Sequence, residues 1–132
     1  MQNYQKNTRK TGNIGEQATA DFLVRNGYKI LARNYTVRGG EIDIIASKEG
    51  TIAFVEVKTR KQDPLEEGEQ AITAAKKKHL IIAAERYIND VVDDCVNYRF
   101  DVAVVTVSDN AVKHLKYYVL FPFRFSADQA AM

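Results

Sequence analysis

A chain of 132 residues that is 45% hydrophobic and 27% charged can fill one compact core but not two. Its net charge of +2 by itself says nothing about nucleic acid, and no apolar run approaches the roughly 20 residues that span a bilayer. The one cysteine, Cys95, excludes an internal disulfide and a thiol-rich zinc knuckle, and the polar, basic start of the chain lacks the apolar stretch of a signal peptide, so a cytoplasmic location is expected.

Residues 1–11 read as a flexible basic tail, 12–123 as a single domain and 124–132 as a second flexible tail. A helix is expected over 13–26, with Asn13 as its N-cap and Gly27 as the residue that stops it. Residues 28–37, rich in aromatic and β-branched side chains, read as a strand. Arg38-Gly39-Gly40 is a turn, and 41–46 and 51–58 are two more strands. Gln62-Asp63-Pro64 breaks the chain. A long helix should then run from Glu66 to Asn89, with Ile72, Ala75, Leu80, Ala83, Ala84, Tyr87 and Ile88 on its apolar face. Residues 99–107 are nearly continuously apolar, as in a buried strand. Ser108-Asp109-Asn110 turns the chain into a last strand over 113–121. The order α-β-β-β-α-β-β implies an α/β fold with a mixed sheet flanked by helices.

Two of these strands carry acids where a core residue is expected: Asp43 in IDIIA and Glu56 in IAFVEV. A two-residue turn at Glu49-Gly50 pairs Lys48 with Thr51. Opposed residues of an antiparallel pair have a constant sum, so Asp43 falls opposite Glu56. Lys58 lies two residues beyond Glu56, on the same side of its strand, and falls opposite Glu41. Like charges directly opposed on a sheet are destabilising. A lysine offsets part of that cost, and a hard divalent cation offsets more. On a helical wheel Gln17, Asp21 and Arg25 form a polar stripe. Glu16 lies on the other side, with Ala20 and Leu23, and points into the protein or into a cleft. Taken singly, each acid has a bland explanation. Asn13-x-x-Glu16 fits a capping box, Asp43 fits an ion pair, and Glu56 with Lys58 fits an exposed sheet face. Together, three acids and a lysine converge.

These residues resemble a known pattern. Asp43, a hairpin, then Glu56-Val57-Lys58 resembles the D-(x)n-(D/E)-x-K signature of the restriction-endonuclease-like nucleases. Glu16 is similar to the helix glutamate of the archaeal Holliday-junction resolvases in that superfamily. The closer resemblance is to an uncharacterised bacterial family, the YraN-type predicted nucleases, over roughly residues 12–121. It is carried by GNxGE at 12–16, NY at 34–35, GGEIDIIA at 39–46, FVEVKTR at 54–60 and RFDV at 99–102. Ile42 stands where many superfamily members have proline, and Gln70 is followed by Ala74 where some have tyrosine.

The resemblance implies a restriction-endonuclease-like α-β-β-β-α-β core and a metal-dependent endonuclease acting on DNA, branched or otherwise structured DNA included. By position, Asp43 and Glu56 would ligate Mg²⁺ or Mn²⁺, with the Val57 carbonyl as a further ligand. Glu16 would complete the acidic cluster. Lys58 would hold or help deprotonate the attacking water, or stabilise charge at phosphorus. Arg38, Arg60, Lys61, Gln70 and Lys77 are candidates for phosphate contacts. Lys76-Lys77-Lys78-His79 otherwise reads as a solvated helix face, and Arg99 with Asp101 as an internal ion pair. DNA or RNA as substrate stays open, and so does a homodimer, which two-strand cleavage by a single-site enzyme would call for. The rival reading is a non-catalytic nucleic-acid-binding module on the same fold.

Overall fold

The computed structural model describes residues 2–61, 73–91 and 97–123, with side chains from Arg9 to Pro122. The elements are α1 (Gln2–Arg25), β1 (Lys29–Val37), β2 (Gly40–Lys48), β3 (Thr51–Lys61), α2 (Ala74–Asp90), β4 (Asn97–Ser108) and β5 (Ala111–Phe123). This is the expected order. The five strands form one sheet in chain order, β1-β2-β3-β4-β5. All neighbours are antiparallel except β3 and β4, which run parallel. That parallel pair requires a crossover, and α2 lies within it.

Strands β2 to β5 run up to three residues past their expected ends, and both helices start elsewhere than expected. Helix α1 begins at Gln2 rather than Asn13. The preceding residues include Gln, Lys and Arg, which are good helix formers, and Gly12 costs only about 1 kcal/mol in a helix interior. Asn13 and Glu16 therefore lie inside the helix, and no capping box forms there. Helix α2 begins at Ala74 rather than Glu66, because Thr73 is extended (φ −66°, ψ 156°) and caps the helix, accepting from the Lys76 N–H at 3.2 Å. Residues 66–72, Gln70 among them, and Cys95 lie outside the described residues.

The helices cover opposite faces of the sheet. Ala20 and Leu23 of α1 pack on Ile44, Ala46, Ala53, Val55 and Ala103. Leu80, Ala83, Ala84 and Tyr87 of α2 pack on Ile42, Ile45, Ile52, Phe54 and Phe100. Most of these side chains are fully buried, at roughly 1.5–3 kcal/mol of gross stabilisation for each large one. Glycine sets both helix-to-sheet distances. A Cβ on Gly15 would fall on Thr59 Oγ1, and one on Gly40 would lie 2.6 Å from the His79 carbonyl oxygen and 2.8 Å from the Ala83 nitrogen. Backbone-to-backbone contact of that kind leaves no room for a side chain. No described helix is long and apolar enough to cross a membrane.

Candidate functional site

The hairpin between β2 and β3 has the expected turn. Glu49 and Gly50 both have positive φ (49° and 78°), the geometry of a tight two-residue connection. Lys48 pairs with Thr51, and the register continues through Ser47↔Ile52, Ala46↔Ala53 and Ile45↔Phe54 to Ile44↔Val55. There the ladder stops. Beyond it β2 pairs only with β1, through Ile42↔Tyr35, Glu41↔Thr36 and Gly40↔Val37. Beyond it β3 pairs only with β4, as far as Lys61↔Val107. The sheet forks, and Asp43 and Glu56 are the first residues inside the fork. The predicted Asp43–Glu56 opposition therefore survives as a meeting of side chains at the mouth, not as a ladder pair. The predicted Glu41–Lys58 opposition does not form, because the strands have parted.

A kink aims Asp43. Ile42 packs in the α2 cluster and Ile44 in the α1 cluster, although alternation would put both on one face. The same switch occurs in β1. Arg33 donates to Gln17 of α1 at 2.9 Å, while Tyr35 meets Tyr87 of α2 edge-on. Between them Asn34 takes a left-handed backbone (φ 53°), a conformation asparagine tolerates better than most residues. Asp43 Oδ2 accepts the Val57 N–H at 2.8 Å. In a continuous ladder that N–H would go to the Ile42 carbonyl. A side-chain oxygen has replaced a backbone one, and the mouth is open.

Charge is crowded here. Glu56 is only 6% exposed. Burial first and the neighbouring Glu56 second push the Asp43 carboxyl up to about 7, against the opposing pull of the Val57 N–H. Glu56 forms an ion pair with Lys76, in the first turn of α2. Burial pulls the Lys76 ammonium down, but its bond to Glu56 and the charges of Glu56 and Asp43 win and raise it. Glu16 reaches the mouth from the other layer, on α1. Burial and then Asp43 raise its carboxyl, while a hydrogen bond with Asn34 lowers it. Glu16 thus feels Asp43 without sharing a sheet face with Glu56. Among the described residues no three of the His, Cys, Asp and Glu side chains form a ready metal cage. The donor set at the mouth is two facing carboxylates with the Val57 main chain beside them. It fits a hard divalent cation that keeps water or phosphate oxygens in its shell.

Two clefts meet at Glu16. One, of about 420 Å³, is lined by Glu16, Val57, Lys58, Thr59, Lys61 and Lys76, with Thr11 and Gly12 of α1. The other, of about 590 Å³, is lined by Arg9, Lys10, Arg33, Asn13, Gln17 and Asn34 among others. Of the sequence candidates, Glu16, Asp43, Glu56, Val57, Lys58 and Lys61 gather at or beside the mouth. Arg60 is half-buried between Thr59 and Lys61 on β3, and Arg38 is exposed at the β1–β2 turn. Lys77 instead lies over the Phe121 ring, 4.7 Å from its centroid.

Sequence reasoning missed Lys76 by grouping it with a solvated face. One signal was available. The first turn of α2 has no acid and carries lysines, which oppose the helix dipole and gain from an acidic partner elsewhere. Arg99 and Asp101 do form the expected internal pair, at 2.8 Å.

A family model described as an uncharacterised protein family, UPF0102, matches residues 15–105. A UPF0102 protein of Chlorobium phaeobacteroides is 43% identical over 111 residues, 83% of this chain and 86% of its own. One of Chloroherpeton thalassium is 42% identical over 99 residues, 75% and 77% of the two chains. One of Symbiobacterium thermophilum is 44% identical over 98 residues, 74% and 83%.

Proposed function

The chain belongs to the uncharacterised protein family UPF0102, and we propose that it is a divalent-metal-dependent endonuclease of the restriction-endonuclease-like class, acting on DNA. The observation that carries this reading is the forked sheet, which leaves Asp43 and Glu56 facing each other with one carboxyl pushed up to about 7. A fold gains nothing from that arrangement, whereas Mg²⁺ or Mn²⁺ gains two hard donors from it. The Val57 carbonyl would be the third protein oxygen. When bound, the cation would polarise a phosphoryl oxygen and acidify a coordinated water.

The chain's own residues supply the rest. Lys58 and Lys61 line the cleft beside the acids and would offset charge gathering on the phosphate in the transition state. Glu16, with its carboxyl raised, is suited to hold or pass a proton at the rim. The cleft with Arg9, Lys10 and Arg33 would take flanking phosphates, so the strand would pass over Glu16 from one cleft to the other. Cutting both strands of a duplex would require a second protomer, and a homodimer belongs to the same proposal.

The test is calorimetric titration with MnCl₂ and MgCl₂, wild type against Asp43→Asn, alone and with a short DNA duplex. Cleavage assays on linear, nicked and four-way-junction DNA follow. Saturable binding and cleavage, both lost in Asp43→Asn, are expected, with the cleavage rate falling about a thousandfold or more. Salt-dependent duplex binding with neither metal uptake nor cleavage would instead assign a nucleic-acid-binding module.

A further inference from the structure

Lys76 is the residue at the mouth that the sequence pattern does not contain. It stands in the first turn of α2, opposite to what the helix dipole favours, and its side chain is 58% exposed while its partner Glu56 is 7% exposed. A solvated lysine gains little from such a reach in water. Its placement is nevertheless built. Thr73 caps the helix through the Lys76 N–H. Gly40, at the start of β2, lets α2 lie directly on the sheet. The ammonium comes to rest on Glu56 and within the field of Asp43, Glu56 and Glu41. It also lines the cleft shared with Lys58 and Lys61.

We infer that Lys76 is a tethered counter-ion, holding the Asp43–Glu56 pair while no divalent cation is bound and turning into the cleft as a phosphate ligand when one arrives. The inference rests on the metal site proposed above. Once Asp43 has lost its proton, two carboxylates confined in a forked sheet need a positive charge beside them to stay close. A lysine on a flexible four-carbon stem supplies it without blocking the site. A divalent cation carries twice the charge and displaces the ammonium from Glu56. Lys76 already lines the cleft with Lys58 and Lys61, so the released ammonium turns into the space where a phosphate would lie.

The experiment compares wild type, Lys76→Met, Lys76→Arg and Asp43→Asn, each first shown folded by circular dichroism. MnCl₂ is titrated into each by calorimetry, first without DNA and then with a short duplex present. Binding of a short duplex is then measured against salt, with Ca²⁺ in place of Mn²⁺ to prevent cleavage. Removing the competing ammonium should tighten Mn²⁺ binding in Lys76→Met about threefold, while Lys76→Arg stays near wild type. The same Lys76→Met protein should bind the duplex more weakly, with the log–log salt slope smaller by about 0.9. Mn²⁺ affinity unchanged or reduced in Lys76→Met, with binding still lost in Asp43→Asn, would overturn the counter-ion role and leave the metal site standing. No Mn²⁺ uptake by any of the four, with or without duplex, would overturn both.

Discussion

Two acidic sites sit on this sheet a few strands apart, and they are solved in opposite ways. Asp101 on β4 is 1% exposed. Both of its oxygens are taken by Arg99, at 2.8 Å each, and Tyr117 donates to Oδ2 at 2.5 Å. Arg99 also donates to the Tyr28 hydroxyl at 2.6 Å, which ties β4 to the start of β1. Burial and then the bond to Asp101 push the Tyr117 phenol up, so it stays a donor at any ordinary pH. Asp43 has one backbone N–H, a like charge and a lysine that belongs to its neighbour. A buried charge that serves the fold is paired and fully hydrogen-bonded. Asp43 is instead kept beside a charge of its own sign, the arrangement on which the proposed metal site rests.

The sharpest way to test that contrast is to remove each acid and follow stability. Asp101→Ala leaves Arg99 and Tyr117 without their acceptor. It should cost about 3 kcal/mol in urea unfolding, with Mn²⁺ affinity per folded molecule unchanged. A cost below about 1 kcal/mol would mean that the cluster is not structural.

Gly40→Ala tests whether the fork depends on where α2 lies. The added methyl would meet helix backbone rather than a flexible side-chain tip. A loss of about 1–3 kcal/mol is expected. Loss of the Lys76–Glu56 contact should accompany it, visible as a change in the chemical shift of the Lys76 side-chain nitrogen.

Asp43→Asn should go the other way. Asparagine keeps an acceptor for the Val57 N–H and removes the charge. The folded Asp43 carboxyl titrates at about 7, above its unfolded value near 4. Below both values the group is protonated in either state and costs nothing. Between them the folded protein keeps a proton that the unfolded chain has lost, so stability falls as pH rises through this window. Above about 7 the full cost is present. The variant should therefore match wild type near pH 3 and exceed it by about 4 kcal/mol at pH 8 in metal-free buffer. Equal stability at both pH values would show that Asp43 carries no such burden.

The smallest effect is expected at Lys77. Its ammonium lies over Phe121, a contact worth about 0.5–1 kcal/mol at an exposed position. Lys77→Ala should cost no more than that, with the salt slope of duplex binding unchanged. A slope smaller by about 0.9 would return Lys77 to the phosphate-binding set.

The order of elements, the turn at Glu49-Gly50 and the β2–β3 register as far as Ile44↔Val55 were all legible in the residues themselves. Each follows from local rules: alternation, turn chemistry and the constant sum of an antiparallel pair. The apolar side of α1 was legible too, since Ala20 and Leu23 recur at helical spacing. Local rules end where two strands stop pairing. Beyond Val55 β3 continues on its other edge, held by the parallel β4 that the crossover brings alongside, an interaction between segments more than 40 residues apart. The tertiary structure alone therefore decided that the sheet forks at Ile44–Val55, that Asn34 and Asp43 switch faces there, and that Glu16 arrives from the layer opposite Glu56. It also decided the place of Lys76, because a lysine on a helix surface reads as solvated until the helix is docked on Gly40.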